Sequence, residues 1–96
     1  MHRDRIRRAF DDIEAEISAG DQAFVDRRYD RAARVYAFAI ERLFHLTEFE
    51  LESASTEPAI VQQCQNLEES VTMKLQLAEI SSQVVVIRSA IADVPP

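Results

Sequence analysis

The first fifty residues carry apolar side chains at alternating steps of three and four, which is the spacing of one face of an α-helix. The first run predicts a helix from about residue 4 to 25, and the second predicts a helix from about 26 to 51. A turn near Val25 to Arg28 separates them, which predicts an antiparallel helical hairpin. The first run is Ile6, Phe10, Ile13, Ile17, Gly20 and Phe24, and the second is Tyr29, Ala32, Tyr36, Ala39 and Leu43.

Both helices carry a feature that concerns their packing. Gly20 lies inside the first helix, where it costs about 1 kcal/mol relative to alanine, so we expect it at a close crossing with the second helix. The second helix has a neighbouring apolar stripe, so its apolar face is wide enough to pack against two helices. Asp26 is predicted to cap its start. The neighbouring stripe is Ala33, Ile40, Phe44 and Leu51.

A third helix is predicted from about residue 57 to 92, after a linker at 52–56 in which Ser55 or Thr56 can cap it. Pro58 fits its first turn, and the two closing prolines cannot continue it. It has two apolar stripes, of which the first predicts the face that closes the bundle and the second runs toward the chain end. The first consists of Ile60, Cys64, Leu67, Val71, Leu75 and Ala78, and the second of Met73, Leu77, Ile80, Val84, Ile87 and Ile91.

These elements predict an all-α fold, in which one domain of residues 1–96 forms an up-down-up three-helix bundle with a long third helix. One glycine and three prolines are too few for the turns of a β-protein of this size. A third helix of about 36 residues would be about 54 Å long. About ten of its residues should therefore extend beyond a bundle of shorter helices.

The residues that could act in catalysis or bind a metal ion are not predicted to lie close together. Adjacent carboxylates, as at Asp11-Asp12, point about 100° apart on a helix and cannot act as an acid–base pair. His2 and His45 lie on different predicted helices, without partners at metal-ligand spacing. Cys64 lies on the closing stripe and is expected to be a small buried hydrophobe. We therefore expect no enzyme, no catalytic residue, no metal site and no cofactor.

Charge is unevenly distributed along the chain. Residues 1–45 hold nine arginines and nine acidic residues, whereas residues 46–96 carry the whole net charge of −6. An acidic second half disfavours nucleic acid and anionic membrane as main partners. One arginine cluster surrounds the predicted turn, where it is either a solvated face paired with acidic residues such as Asp26 and Asp30 or a docking patch for an acidic peptide. That cluster is Arg27, Arg28, Arg31 and Arg34.

The setting that the sequence predicts is intracellular, in the cytoplasm. A lone cysteine cannot form an internal disulfide. The start from Met1 to Arg8 is charged and is not expected to be a signal peptide. The apolar run from Val84 to Ile87 is far short of the ~20 residues of a membrane span, so we expect no stable membrane insertion.

The hairpin resembles the tetratricopeptide repeat. Gly20 is followed nine residues later by Tyr29, and then by Ala32, Tyr36 and Ala39 at steps of three, four and three. It is also similar to the MIT domain, a three-helix relative found in membrane-trafficking proteins. The resemblance implies a non-catalytic domain that binds a helical or extended peptide of another protein, with the third helix as part of the binding surface.

The sequence departs from both families at defined positions. Ile17 and Asp21 stand where repeats that hold a C-terminal carboxylate have lysine and asparagine. Leu77-Ala78-Glu79 stands where MIT domains commonly have Arg-Ala-Glu. The first departure speaks against recognition of a C-terminal carboxylate, and the second speaks against the usual MIT groove.

The second stripe of the third helix is the strongest candidate interaction surface. Either the start of the first helix covers it, with Ile6 and Phe10 against the region from Val84 to Ile91, or it is exposed and binds a partner protein or a second copy of the chain. The alternative function is therefore a coiled-coil-like homodimer with a structural role. The predicted partner-binding residues are Tyr29, Arg31, Met73, Leu77, Ile80, Val84, Ile87 and Ile91.

Overall fold

The chain folds into three long helices. The computed structural model describes residues 2–50 and 58–93. They form α1 (His2–Val25), α2 (Tyr29–His45), a π-helical turn (Leu46–Glu50) that prolongs α2, and α3 (Pro58–Ala92). No residue in the two described ranges lies in a strand, and the three helices pack together, so the predicted all-α fold is confirmed. The predicted linker caps lie outside the described residues.

The second helix begins three residues later than predicted, and Asp26 does not cap it. α2 begins at Tyr29, where Arg28 occupies the N-cap position without a capping hydrogen bond from its side chain. Asp26 belongs instead to the end of α1, where its carboxylate accepts a hydrogen bond from the Gln22 side chain at 3.2 Å. The prediction of a cap was wrong because the chain between Val25 and Tyr29 is used to terminate α1.

The end of α1 is closed by two backbone hydrogen bonds of the Schellman type. The N–H of Arg28 donates to the carbonyl of Ala23 at 2.8 Å, and the N–H of Arg27 donates to the carbonyl of Phe24 at 3.0 Å. This arrangement places Arg27 in the left-handed region, with φ of 62°. Glycine is the residue that this position favours, because a Cβ atom costs about 1 kcal/mol there.

Replacing Arg27 with glycine is therefore expected to stabilise the fold by about 1 kcal/mol, or roughly 4–8 °C in Tm for a domain of this size. Thermal and urea unfolding followed by circular dichroism measure the change. Arg28→Gly is the matched control, because it removes the same charge one residue later at φ of −93°, where glycine relieves no strain. An equal gain from both variants would show that the backbone of Arg27 is not the cause.

The core lies along α2, which packs closely against both α1 and α3, whereas α1 and α3 approach each other at fewer places. The inner faces of all three helices follow the predicted first stripes. Phe10 and Phe24 are only partly buried and pack at the edge of the core. The buried apolar residues are Ile6, Ile13, Ile17 and Ala23 of α1, Ala32, Tyr36, Ala39 and Leu43 of α2, Leu46 of the π-helical turn, and Cys64, Val71 and Ala78 of α3.

The close approach predicted at Gly20 is present. A Cβ atom added there would lie 2.7 Å from Cε1 of Tyr36 and 3.2 Å from Cγ1 of Val35. The first distance is shorter than any ordinary van der Waals contact, and the aromatic ring is buried and cannot swing aside. Gly20 therefore makes room for the Tyr36 ring, which offsets its poor helix propensity.

The third helix extends beyond the hairpin, as predicted. It has 35 residues, or about 52 Å, and the molecule is 65 Å long but only 17 Å across. Ser82 of α3 lies beside Asp30 in the first turn of α2 and donates a hydrogen bond to its carboxylate. Every residue from 83 to 93 is exposed, because the hairpin ends at that level. We call residues 83–93 the overhang.

Candidate functional site

A polar link fixes how α3 sits on the hairpin. The Tyr36 hydroxyl donates to Oδ1 of Asp21 at 2.6 Å, and Nζ of Lys74 donates to Oδ2 of the same carboxylate at 2.9 Å. Burial raises the pKa of Tyr36, and the hydrogen bond to Asp21 raises it further, so the hydroxyl stays protonated and remains a donor. One carboxylate of α1 thus joins all three helices, in the same orientation of α3 that buries Cys64, Val71 and Ala78.

The second apolar stripe of α3 is the face that points outward. We call it the outer seam. Cys64, Val71 and Ala78 of the same helix are buried on the opposite face. The outer-seam side chains are between 39% and 70% exposed, and they are Met73, Leu77, Ile80, Val84, Ile87 and Ile91.

The possibility that α1 covers this stripe is excluded by the structure. Ile6 is buried in the core and Phe10 packs against that core. Both lie near the start of α1, whereas the hairpin turn at the end of α1 is the part that lies level with the beginning of the overhang. The region from Val84 to Ile91 therefore has no cover from α1.

The outer seam is as large as the largest apolar patches that monomers usually expose. From Met73 to Ile91 it covers 18 helical steps, or about 27 Å. Six large side chains at the observed exposure leave roughly 600 Å² of surface open to water, at the upper end of the usual range for the largest patch of a monomer. A contiguous patch of this size, bordered by polar residues, is typical of an interaction surface.

The length and composition of α3 also meet the criteria for a membrane-crossing helix. An 18-residue window of Pro58–Ala92 has a mean hydropathy of 1.2, and only 6% of that window is buried. Core helices of soluble proteins pass the same test when they are mostly buried, but this window is not. The sequence prediction rested on the length of the longest unbroken apolar run and therefore missed the high mean hydropathy of α3, whose apolar residues are spread over two faces.

A second surface lies where the hairpin turn faces the overhang. An open groove of about 400 Å³ separates the arginines around the turn from two valines of α3. Tyr29 lines it, and its ring packs edge-on against Phe24 with the ring centroids 5.1 Å apart. We call it the turn groove. Its lining residues are Arg27, Arg28, Tyr29, Asp30, Arg31, Arg34, Ser82, Val85 and Val86.

The eight predicted partner-binding residues therefore fall on two surfaces. Tyr29 and Arg31 line the turn groove, whereas the other six form the outer seam. None of the six outer-seam residues lines the groove, so the structure does not bring all eight residues together on one surface. The reason is the rotation of α3, which places Val85 and Val86 toward the hairpin turn and Val84 and Ile87 on other sides of the helix.

The arginines of the turn groove have no carboxylate partner among the described residues. None of the four guanidinium groups forms an ion pair within residues 2–50 and 58–93, and all four arginines are exposed. Asp30 is the one acidic residue lining this groove, and its carboxylate accepts a hydrogen bond from Ser82. The predicted pairing of the cluster with Asp26 and Asp30 is therefore not observed.

Sequence reasoning missed Ser82, Val85 and Val86 as groove residues. Only the phase of α3 places them toward the turn, and counting from the buried Ala78 by 3.6 residues per turn could have found Ser82 and Val85. Cys64 is buried, and burial together with the nearby Glu68 raises the pKa of its thiol, which makes it a poor nucleophile. Among the described residues, no three His, Cys, Asp or Glu side chains converge on a point where a metal ion could bind.

Comparisons with known proteins add no family to this description. No protein-family model matches the chain, no curated protein matches it, and no solved structure matches it. The two surfaces described above are the outer seam on α3 and the turn groove between α3 and the hairpin turn.

Proposed function

We propose that this chain is a non-catalytic helical interaction module whose outer seam packs against a helix of another protein. The observation that carries the proposal is the continuous exposure of six apolar side chains along one face of α3. Burying them would remove roughly 600 Å² of mostly apolar surface from water on this side of an interface, which is close to the ≈800 Å² per partner of a standard complex.

The spacing of the outer seam favours a helix as the occupant. Its residues follow steps of 4, 3, 4, 3 and 4, which is the heptad pattern that lets side chains of one helix insert between those of another. The positions beside the stripe are polar or charged, with Gln76 and Gln83 on one side and Lys74 and Arg88 on the other. Lys74 is already paired with Asp21, so an acidic residue beside the apolar stripe of a partner helix would complement Arg88.

The likeness to tetratricopeptide and MIT hairpins supports the same kind of function. Side-chain contacts pair the two helices in reverse order, with Phe24 near Tyr29 and Asp21 near Tyr36. Glu16 pairs with Arg42 further along, which is consistent with the up-down-up order proposed for the bundle. A partner in a trafficking or assembly complex and a cytoplasmic location rest on this likeness and on composition, and they stay predictions.

Self-association is the second candidate function. Two copies joined through the outer seam would bury roughly 1,200 Å², the lower limit for a specific interface. The flanking charges favour a different partner, because a parallel pair would place Gln83 beside Arg88 of the second copy and an antiparallel pair would place Lys74 there. Neither arrangement forms an attractive charge pair, and each copy carries a net charge of −6.

The double substitution Val84→Asp with Ile87→Asp tests the proposal. It should remove the binding of helical partners captured from native lysate while the helicity measured by circular dichroism stays unchanged, because both side chains are exposed. The matched control is Gln63→Asp with Gln65→Asp, which adds the same charge to exposed polar positions of α3. We expect the control to keep the partners.

Three outcomes would contradict parts of the proposal. Unfolding of the double variant would show that Val84 and Ile87 belong to the core. Light scattering would favour the homodimer if the mass of the wild-type protein doubles from 11.0 kDa as concentration rises while the mass of the double variant does not. Flotation of the wild-type protein with lipid vesicles, lost in the double variant, would make a bilayer the occupant of the outer seam.

A further inference from the structure

We propose that the turn groove is a second docking site, which takes an acidic peptide segment of another protein. This goes beyond the proposed function, since the groove and the outer seam share no residue. The groove has a basic wall at the hairpin turn and an aliphatic wall on the overhang, where Val85 and Val86 are both exposed. A segment that carries carboxylates next to an aliphatic side chain matches both walls.

The turn groove is basic, although the chain as a whole is acidic. The net charge is −6, yet four arginines and one carboxylate line this surface. Ser82 already donates to that carboxylate, on Asp30, and none of the four guanidinium groups that line the groove forms an ion pair within the described ranges. Guanidinium groups bind carboxylates through paired, charge-assisted hydrogen bonds, so acidic side chains are the complementary ligand.

The backbone of Arg27 supports a role for its side chain. It occupies the left-handed position of the turn, where glycine would be more stable, and its side chain lines the groove. Residues held in unfavourable backbone conformations concentrate at binding sites. An arginine at this position therefore makes the turn less stable than glycine would, and it places a positive charge at the groove.

A protein segment fits the groove better than nucleic acid or a membrane surface does. Tyr29 is the one aromatic residue that lines it, so the groove lacks the series of aromatic side chains on which successive bases stack. The net charge of −6 repels extended polyanions and anionic bilayers at long range. A short acidic segment avoids most of this repulsion because it contacts only the basic cluster.

The test is fluorescence anisotropy with a labelled synthetic peptide of repeated Glu-Glu-Val units and its Gln-Gln-Val counterpart. The protein carries Val84→Asn and Ile87→Asn, which remove apolar surface from the outer seam without adding negative charge beside Val85 and Val86. Failure of this site is thereby separated from failure of the proposed function. We expect the acidic peptide to bind and the glutamine peptide not to bind, with an affinity that falls as salt is added. Arg31→Gln with Arg34→Gln should weaken binding by about tenfold or more.

Two further variants make the result independent of folding. Arg27→Gly should also weaken binding, although it raises stability, so unfolding cannot explain the loss. Arg7→Gln with Arg8→Gln removes the same charge from exposed positions of α1 and should leave the affinity unchanged. Equal loss in this control, equal binding of both peptides, no binding of the acidic peptide, or tighter binding of single-stranded DNA or anionic vesicles would each overturn the proposal.

Discussion

Replacing Tyr36 with alanine is expected to lower the free energy of unfolding by about 3–5 kcal/mol. The ring is 2% exposed, fills the space beside Gly20 and lies at the centre of α2, where both other helices pack. The substitution also removes the hydroxyl that donates to Asp21. A domain of this size has a total stability of roughly 5–15 kcal/mol, so the variant should lose a large share of its stability.

Two controls separate the contributions of Tyr36. Phe38→Ala removes an aromatic side chain two residues away that is 57% exposed, and it should cost well under 1 kcal/mol. Tyr36→Phe removes only the hydroxyl and should cost about 1 kcal/mol, the usual contribution of one hydrogen bond. Urea unfolding of the four proteins measures these differences. Equal losses for Tyr36→Ala and Phe38→Ala would mean that α1 does not pack on α2 at Gly20.

Placing a charge at Val71 is expected to separate α3 from the hairpin. Val71 is fully buried at the middle of the inner face of α3, so Val71→Asp would bury an unpaired carboxylate or open the interface, at a cost of several kcal/mol. Thermal unfolding and the dispersion of the amide NMR spectrum report the loss of tertiary packing. Some helicity should survive, because helix propensity does not depend on this contact.

Met73→Asp is the matched control for that experiment. Met73 lies two residues further along α3, is 70% exposed and belongs to the outer seam, so the same charge there should change stability by less than about 0.5 kcal/mol. A large loss of stability at Met73 with a small loss at Val71 would show that α3 packs on the hairpin through its other face.

The helical architecture could be predicted from the sequence, because the spacing of apolar residues and the positions of turn residues agree along most of the chain. The end of α1 at Val25 and the inner stripes of α2 and α3 follow from regular apolar spacing. The start of α2 was predicted too early because aspartate, the residue at position 26, is a preferred N-cap residue. An arginine in the left-handed position of a Schellman turn gives no sequence signal, since glycine is the residue that normally marks it.

The candidate site could be predicted only in part. The outer seam was identified by its spacing, but spacing alone cannot say whether a second stripe is covered by another helix. Its exposure follows from the packing of Cys64, Val71 and Ala78 against the hairpin, together with the long-range contacts of Lys74 and Ser82. The sequence does not show which elements these residues contact. The turn groove depends on the same contacts, because they decide which valines of the overhang face the arginines.

One unbroken helix carries both the buried contacts from Cys64 to Ala78 and the exposed overhang. Each residue along such a helix advances the chain by about 1.5 Å and turns it by about 100°. The direction in which the exposed side chains of the overhang point is therefore encoded in the number of residues after Ser82, the last residue of α3 with a hydrogen bond to the hairpin described above. Inserting or deleting a single residue beyond Ser82 would turn those side chains by more than a quarter of a turn while leaving the contacts from Cys64 to Ser82 in place.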